Sequence, residues 1–377
     1  MKKMGKKRIA MIGHKRIPSR EGGVEIVVEE LATRLVAQGN IVTVYNRNGH
    51  HVSGKEFDGE RLKNYKGVIL KYVPTIDHAG LAAVSSSIIA TICAAFGKYD
   101  IVHFHAEGPS FMCWLPKIMG KKIIVTIHGL DHEREKWGKF AKKYIMMGEH
   151  SAVKYADDII VLSCGVQKYF ERVYNRDTVF IPNGVERPSI SEINQINIKW
   201  GLEKDSYILY LGRIVPEKGL KNLIIAFKNI KTEKKLVIAG GASGTENYVR
   251  ELMNLAKDDN RIIFTGFVQG QILKELYSNC YIYTLPSKLE GMPLSLLEAM
   301  SYGNCCLVSS IKECTEVVED KAVIFENDNM NDLRVKLQEL CDDIGMVNTY
   351  RKQSRDFICS KYNWNDVVEQ TLKLYQD

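Results

Sequence analysis

The first half of the chain alternates short apolar runs with longer amphipathic segments. We expect one helix over Gly22–Gln38 and a second, basic helix that begins near Trp137 and closes at Ser151–Tyr155. The apolar runs predict strands at Arg8–Gly13, Ile41–Tyr45, Ile101–Phe104, Ile123–Ile127 and Ile159–Leu162. Strands that alternate with helices pair in parallel, so this half predicts a doubly wound sheet.

The pattern restarts after the turn Pro182-Asn183-Gly184, which places a domain boundary near 183–190. A helix is predicted over Leu294–Tyr302, and a last helix runs from Trp364 to Tyr375. Further strands are predicted at Val179–Ile181, Tyr207–Leu211, Leu236–Ala239, Ile262–Phe264, Ile282–Leu285 and Cys305–Val308. The fold class is therefore α/β with two doubly wound parallel sheets, and the apolar pattern of the last helix by itself predicts only a packing face.

Composition and charge narrow the function classes. A length of 377 residues exceeds one ordinary core and suits two domains. The net charge of +7 is dispersed, which favours phosphates or anionic lipid headgroups as partners. We expect no nucleic acid partner, because no recognition motif accompanies the charge.

The cysteines and the apolar segments indicate a cytoplasmic protein. Nine cysteines without a C-x-x-C pair fit reduced thiols, and no secretory signal opens the chain. The most apolar segment, Leu81–Phe96, has 16 residues. Because a bilayer requires about 20, it predicts a buried or interfacial helix.

Candidate site residues follow the predicted strands, where an open parallel sheet binds its ligands. Gly22-Gly23 follows the first strand and allows a ligand to approach the backbone, and His128 directly follows Ile123–Ile127. Arg213 and Lys218 follow Tyr207–Leu211 and supply two cations suited to a diphosphate. Each of these features also has an ordinary structural interpretation. Gly22-Gly23 would be a simple turn, His128 a structural histidine, and Lys218 the solvated partner of Glu217.

The most informative stretch is Leu285–Ser310, where Glu290 and Glu298 stand eight positions apart across a loop-to-helix junction. A helix start suits a phosphate, and nearby carboxylates accept hydrogen bonds from sugar hydroxyls. The two acids are also candidates for a general acid/base pair, as in glycoside hydrolysis. No cluster of histidines and carboxylates has metal-ligand spacing, so we expect neither a metal nor a cofactor.

Taken together, these positions resemble retaining glycosyltransferase family 4, whose fold is GT-B: two Rossmann-like domains that face a cleft. The most specific element is the E-x7-E pattern from Glu290 to Glu298. Gly212-Arg213 with Lys218-Gly219, together with Gly22-Gly23 and His128-Gly129, matches further family motifs. The N-terminal run from Ile12 to Glu25, with His128 to Trp137, is also similar to bacterial capsule and cell-wall rhamnosyltransferases. Those commonly carry Tyr-Gly-Gly where this chain has Glu21-Gly22-Gly23, so the identity of the donor stays open.

The resemblance implies a domain plan and an activity. Residues 1–184 with the helix 364–377 would form the acceptor-side domain, and residues 185–363 the nucleotide-sugar domain. The chain would move a hexose from a nucleotide-diphosphate sugar, with a UDP-sugar favoured over dTDP-rhamnose, to a glycan or lipid-linked acceptor in bacterial surface polysaccharide synthesis. The anomeric configuration would be retained, and no metal would be required.

The resemblance also implies a role for each site residue. Arg213 and Lys218 would stabilise the departing diphosphate, Glu290 would bind the hexose, and His128 would lie near the donor sugar. Glu298 would bind the ribose, which makes both acids hydroxyl anchors rather than an acid/base pair. The remaining substrate-binding residues would be Gly22, Gly23, Phe267, Val268, Gly291, Met292, Pro293 and Leu294.

A basic, partly aromatic stretch is a candidate for peripheral contact with an anionic membrane that carries a lipid-linked acceptor. Its members are Lys136, Trp137, Lys139, Phe140, Lys142, Lys143, Tyr144, Ile145, Met146 and Met147. The same stretch is equally well interpreted as the ordinary solvated face of a helix. Two other function classes stay open: a GT-B nucleotide-sugar 2-epimerase or hydrolase, and a non-catalytic nucleotide-binding protein.

Overall fold

The computed structural model describes residues 5–76, 81–134 and 137–376. The chain divides into two compact units. One unit consists of Met1–Asn183 with Trp364–Asp377, and the other is Gly184–Asn363. Each unit has its own sheet.

The first unit begins as alternating strands and helices, as the apolar pattern predicts. Its strands are β1 (Arg8–Ile12), β2 (Ile41–Arg47), β3 (Asn64–Tyr65), β4 (Val68–Val73), β5 (Ile101–His105), β6 (Lys122–Ile127), β7 (Asp158–Val161) and β8 (Val179–Phe180). Its helices before the second unit are α1 (Gly23–Ala37), α2 (Leu81–Ala95), α3 (Trp114–Ile118), α4 (Lys139–Tyr155) and α5 (Cys164–Tyr174).

The strands of the first sheet lie in the order β3-β4-β2-β1-β5-β6-β7-β8. All described pairs are parallel except β3 with β4, which form an antiparallel hairpin at the edge. The order reverses between β1 and β5, and ligands of such sheets bind beyond the carboxyl ends of the strands at this point. The residues after β1, β5 and β6 therefore lie where a ligand would be expected.

The second unit repeats the architecture. Its strands are β9 (Tyr207–Leu211), β10 (Lys235–Ala239), β11 (Ile262–Gly266), β12 (Ile282–Leu285), β13 (Cys306–Ser309) and β14 (Val323–Phe325). Its helices are α6 (Gln195–Trp200), α7 (Leu220–Lys228), α8 (Glu246–Ala256), α9 (Gly270–Asn279), α10 (Leu294–Ser301), α11 (Lys312–Val318), α12 (Met330–Asp342) and α13 (Ile344–Lys361). The strand order is β11-β10-β9-β12-β13-β14, all parallel in the described pairs, and it reverses between β9 and β12.

The last helix, α14 (Trp364–Gln376), belongs to the first unit and packs beside α1. Of the apolar positions that predict this helix, Val367, Val368 and Leu372 are buried together with Trp364 and Tyr375, whereas Leu374 is only half-buried. A helix whose apolar stripe is buried in this way is stabilised mainly by tertiary packing.

The predicted fold class, α/β with two doubly wound parallel sheets, is confirmed. The β3–β4 hairpin was missed, because its first strand has two residues and its turn depends on the left-handed Lys66 and Gly67. The basic helix spans Lys139–Tyr155, in agreement with a start near Trp137 and a close at Ser151–Tyr155. Leu81–Ala95 is helical as expected, and among the described residues no helix is both long and apolar enough to span a bilayer.

Candidate functional site

The loop after β9 carries two of the predicted cations. Arg213 lies two residues beyond the strand, and its carbonyl accepts a 2.9 Å hydrogen bond from the buried hydroxyl of Tyr210. Among the described residues, nothing forms a hydrogen bond or ion pair with its guanidinium. Lys218 ends the short helical turn Pro216–Lys218. The loop therefore presents two cations at the carboxyl end of a central strand.

Lys218 forms an ion pair with Glu290, which lies in the loop after β12. The two side chains are only 12 % and 9 % exposed, so water screens the pair weakly. The hydroxyl of Ser287 donates a 2.7 Å hydrogen bond to the same carboxylate oxygen, Oε1. The structure thus joins two predicted site residues that lie 72 positions apart in the sequence.

Backbone contacts hold these two loops together. The amide of Lys288 donates a 2.8 Å hydrogen bond to the carbonyl of Glu217. Gly219 has a φ of +68°, and a Cβ there would lie 2.0 Å from the carbonyl oxygen of Pro286. Only glycine permits this approach, so the Gly219 of the sequence motif serves to bring Lys218 to Glu290.

Glu298 lies one turn into α10, and its Oε2 accepts a 3.1 Å hydrogen bond from the buried Tyr277 hydroxyl. The helix begins at Leu294, and Pro293 before it supplies no side-chain cap. First-turn amides of such a helix lack intrahelical acceptors, which suits an anion. Gly291, Met292, Pro293 and Leu294, which lead into this helix start, are themselves buried.

Phe267 and Val268 directly follow β11, the edge strand beside β10. Both side chains are partly exposed. Gly266 before them has a φ of +70°, which turns the chain out of the strand. These residues share the carboxyl edge of the second sheet with Arg213 and Glu290, because all its described strands are parallel.

In the first unit, Gly22 immediately precedes α1 and Gly23 is its first residue. A Cβ on Gly22 would lie 2.8 Å from Oε2 of Glu25. That carboxylate is buried, and its other oxygen accepts a 2.8 Å hydrogen bond from the amide of Lys15. The helix start therefore has an exposed Gly23 and no side-chain cap.

His128 follows β6 and stacks on His105, with ring centroids 5.3 Å apart. Its Nε2 lies 3.1 Å from Nδ1 of His105. Burial lowers the pKa of His128 to about 4, and a smaller contribution from Arg134 acts in the same direction. The imidazole is therefore neutral near pH 7 and can offer a hydrogen bond rather than a positive charge.

Sequence reasoning missed the buried histidines around His128. His14 lies after β1 with its Nε2 3.0 Å from Asn46 Oδ1, and burial lowers its pKa to about 4. His103 and His105 lie within the fully buried β5, their rings stacked at 4.3 Å. The available signal was two histidines in an otherwise apolar strand, since buried polar side chains require partners.

The predicted membrane stretch is only partly accessible. Phe140, Met146 and Met147 are exposed on α4, whereas Ile145 is buried. Lys139 and Lys143 are exposed, and Lys136 lies outside the described residues. A groove of about 530 Å³ adjoins this helix; it is lined by Phe111, Trp114, Lys143, Met146, Met147, His150, Ser151, Lys154 and Tyr155.

Comparison with known proteins finds glycosyltransferases. The family model Glycosyltransferase Family 4 matches residues 21–187, and Glycosyl transferases group 1 matches residues 192–357. The uncharacterized glycosyltransferase MJ1607 of Methanocaldococcus jannaschii is 25 % identical over 98 % of both chains. A UDP-Gal:alpha-D-GlcNAc-diphosphoundecaprenol alpha-1,3-galactosyltransferase of Escherichia coli is 28 % identical over 74 % of this chain and 76 % of its own.

Among solved structures, Anabaena Alr3699/HepE in complex with UDP-glucose superimposes with a TM-score of 0.80 at 17 % identity. The match covers 97 % of this chain and 98 % of that one. At this identity the likeness concerns the fold. Together the two family models cover most of each unit, and the chain is a glycosyltransferase of family 4 with the GT-B fold.

Proposed function

We propose that this glycosyltransferase moves a hexose from a UDP-sugar to a glycan or lipid-linked acceptor, with retention of the anomeric configuration, in bacterial surface polysaccharide synthesis. The observation that carries the proposal is the buried Lys218–Glu290 pair beside Arg213, at the point where the second sheet reverses its order. UDP is favoured because the similar galactosyltransferase is named for UDP-Gal and the similar Alr3699/HepE was solved in complex with UDP-glucose.

In this mechanism the bond between the sugar C1 and the phosphate oxygen breaks, and a bond forms between C1 and the acceptor oxygen. Negative charge develops on the departing diphosphate. Arg213 and Lys218 stabilise that charge, and such preorganised contacts are each worth about 3–4 kcal/mol of barrier. The acceptor hydroxyl gives its proton to the departing phosphate, so neither a metal nor a side-chain nucleophile is required.

Glu290 and Glu298 serve as hydroxyl anchors. The hydrogen bonds that Glu290 accepts from described residues go to Oε1, which leaves Oε2 for a donor hydroxyl. Glu298 lies on α10, whose first amides would meet phosphate, so its carboxylate is placed for the ribose. In the first unit, the neutral His128 would donate a hydrogen bond to the sugar, and Gly23 would offer its amide.

The base would lie beside Phe267 and Val268 at the carboxyl edge of the same sheet. Both residues are partly exposed after the turn at Gly266, so their backbone groups would form hydrogen bonds with a pyrimidine, and the Phe267 side chain would offer an aromatic surface. The backbone of residues 291–294 completes the sugar and phosphate contacts.

A thermal-shift screen of UDP, GDP, ADP and dTDP sugars tests the donor. We expect UDP-sugars to stabilise the protein most, and stabilisation by dTDP-rhamnose alone would contradict the UDP assignment. Nucleotide release would then be measured with and without acceptors, and the anomeric configuration of the product read by NMR. Epimerisation without acceptor, or binding without turnover, would favour the two rival functions.

The acceptor side includes a membrane contact on α4. Phe140 is 85 % exposed on the same helix as Lys139 and Lys143, an arrangement that suits an anionic bilayer surface. Co-sedimentation with vesicles of phosphatidylglycerol and phosphatidylcholine tests it. Binding should fall in Phe140→Ala and with added salt, while Phe96→Ala, exposed beyond α2, serves as the control. Equal recovery with neutral and anionic vesicles would refute the contact.

A further inference from the structure

Three side chains from separate segments of the first unit converge below the surface. Glu107 follows β5, His132 lies in the short helical turn after β6, and Glu149 lies in α4. Their nearest ligand atoms all lie within 4.8 Å of one another. Both carboxylates are fully buried, and the His132 side chain is 16 % exposed, which leaves a way in from solvent.

Each carboxylate is fixed through one oxygen only. Oε1 of Glu149 accepts hydrogen bonds from the hydroxyls of Tyr169, at 2.9 Å, and Tyr174. Oε1 of Glu107 accepts a 3.0 Å hydrogen bond from the amide of Asp131. Carboxylates that bind metals are often held in the same way: the surrounding protein forms hydrogen bonds with one oxygen, and the other oxygen faces the metal.

The atoms turned inward are the ones without hydrogen-bond partners. Oε2 of Glu107, Oε2 of Glu149 and Nδ1 of His132 are buried, and none has a hydrogen bond within the described part of the chain, although His132 and Glu149 are close enough to form an ion pair when the histidine is protonated. A buried polar atom without a partner costs about 1–3 kcal/mol, and more when it is charged. A cation bound by all three atoms would remove this cost for each of them.

The backbone holds this arrangement in place. Gly148, next to Glu149 in α4, has no room for a side chain, because a Cβ there would lie 2.0 Å from the carbonyl oxygen of Glu107. The helix therefore approaches the loop after β5 as closely as a glycine permits. Oε2 of Glu149 lies 3.4 Å from Nδ1 of His132. Two ligands at about 2.0–2.1 Å from a tetrahedral metal are separated by about 3.3 Å.

We propose that Glu107, His132 and Glu149 form a structural site for a divalent transition metal, with zinc as the preferred ion. One imidazole and two carboxylates suit zinc, and water entering beside His132 would complete four ligands. The metal would tie α4 to the loops after β5 and β6, and so fix the chain just beyond His128. It has no part in the transfer step, in which the proposed mechanism assigns the stabilisation of the developing charge to Arg213 and Lys218.

The sequence did not reveal this set because its members are 25 and 17 positions apart, unlike the close pairs of common zinc motifs. The competing occupant is a proton, either on His132, which then pairs with Glu149, or on one of the two carboxylates. A proton would satisfy the oxygens without any metal, so the test must measure metal directly.

The full-length protein would be treated with EDTA, dialysed and titrated with zinc by calorimetry, with thermal unfolding in parallel. We expect one zinc per chain and a higher Tm. His132→Asn and Glu149→Gln should weaken zinc binding at least about 100-fold, beyond the 10- to 100-fold effect of removing an outer hydrogen bond. Glu133→Gln and His150→Asn, a neighbour and an exposed histidine of α4, are matched controls and should bind zinc normally.

Cobalt substitution keeps the proposal testable if a ligand variant does not fold. Cobalt bound here should give a tetrahedral visible spectrum without thiolate charge-transfer bands, which excludes the nine cysteines as ligands. Tyr169→Phe, which keeps all three ligands, should weaken binding 10- to 100-fold. Absence of stoichiometric zinc in the folded wild-type protein, thiolate bands, or unchanged binding in His132→Asn would each overturn the site.

Discussion

The hydroxyl of Tyr375 in the last helix lies 2.7 Å from Nδ1 of His103 in β5, a residue 272 positions earlier. The other ring nitrogen of His103 lies 2.7 Å from the hydroxyl of Thr126 in β6. His103 in turn stacks on His105, which contacts His128. The last helix is thus joined by buried polar contacts to the strands that carry the predicted sugar-side histidine.

Tyr375→Phe should lower the free energy of unfolding by about 1–3 kcal/mol, because it leaves a buried histidine nitrogen without its partner. Urea unfolding at pH 7.5 measures the change. Lys373→Ala, on the exposed face of the same helix, is the control and should change stability by less than about 0.5 kcal/mol. Equal stability of Tyr375→Phe and wild type would mean that this hydrogen bond does not anchor the helix.

Arg213→Ala should lower kcat/KM at least about 100-fold, on the scale of one lost transition-state contact. Initial rates of nucleotide release with the best donor measure it. Lys221→Ala removes an exposed cation of α7 that is paired with Glu251, and it should leave the rate unchanged. Near-normal turnover in Arg213→Ala would remove this residue from the proposed site.

Substitutions of Glu290 and Glu298 should have different effects on ligand binding. Glu298→Gln should weaken binding of free nucleoside diphosphate, because its proposed partner is the ribose. Glu290→Gln should leave that affinity within about twofold and weaken binding of the nucleotide sugar by about tenfold, the cost of one hydrogen bond to a charged group. If instead both variants bound donor normally and lost only kcat, the general acid/base interpretation would be favoured.

Gly219→Ala should destabilise the protein and reduce turnover, because the new methyl group would meet the carbonyl of Pro286. Gly244→Ala is a matched control: its φ of +74° imposes a similar left-handed strain, but no atom lies within 4 Å of the new Cβ. The control should cost about 1–2 kcal/mol. Gly219→Ala should lower the stability measured by thermal unfolding more than Gly244→Ala does. Equal losses of stability would show that the two loops can move apart without displacing Lys218.

Stability should fall as the pH decreases from about 6.5 to 4. Burial lowers the pKa of His14 and His128 to about 4 and that of His103 to about 3. In this window the unfolded chain binds protons that the folded chain does not, so each histidine removes up to about 1.4 kcal/mol of stability per pH unit. These contributions are fully present above the ordinary histidine pKa and are lost as the pH falls.

Urea unfolding at pH 7.5, 6 and 5 would measure this slope. His128→Gln should reduce it, whereas His150→Gln, at an exposed position of α4, should not. Asp131 and Glu25 act to raise the pKa of His128, so they reduce the expected effect without reversing it. A stability independent of pH between 7.5 and 5 would contradict the buried, neutral state of these histidines.

The sequence by itself determined the two doubly wound sheets, because short, mostly apolar runs such as Ile123–Ile127 alternate with helical segments, and strands in that arrangement pair in parallel. It also placed Arg213, Lys218 and Glu290 after strands, since local periodicity shows where each strand ends. It did not show that Lys218 and Glu290 touch, because that contact depends on the glycine approach at Gly219 and on the neighbouring positions of β9 and β12. The contacts of His103 with Tyr375, and of Glu107 with His132 and Glu149, arise from strand order and helix packing, which local pattern does not encode.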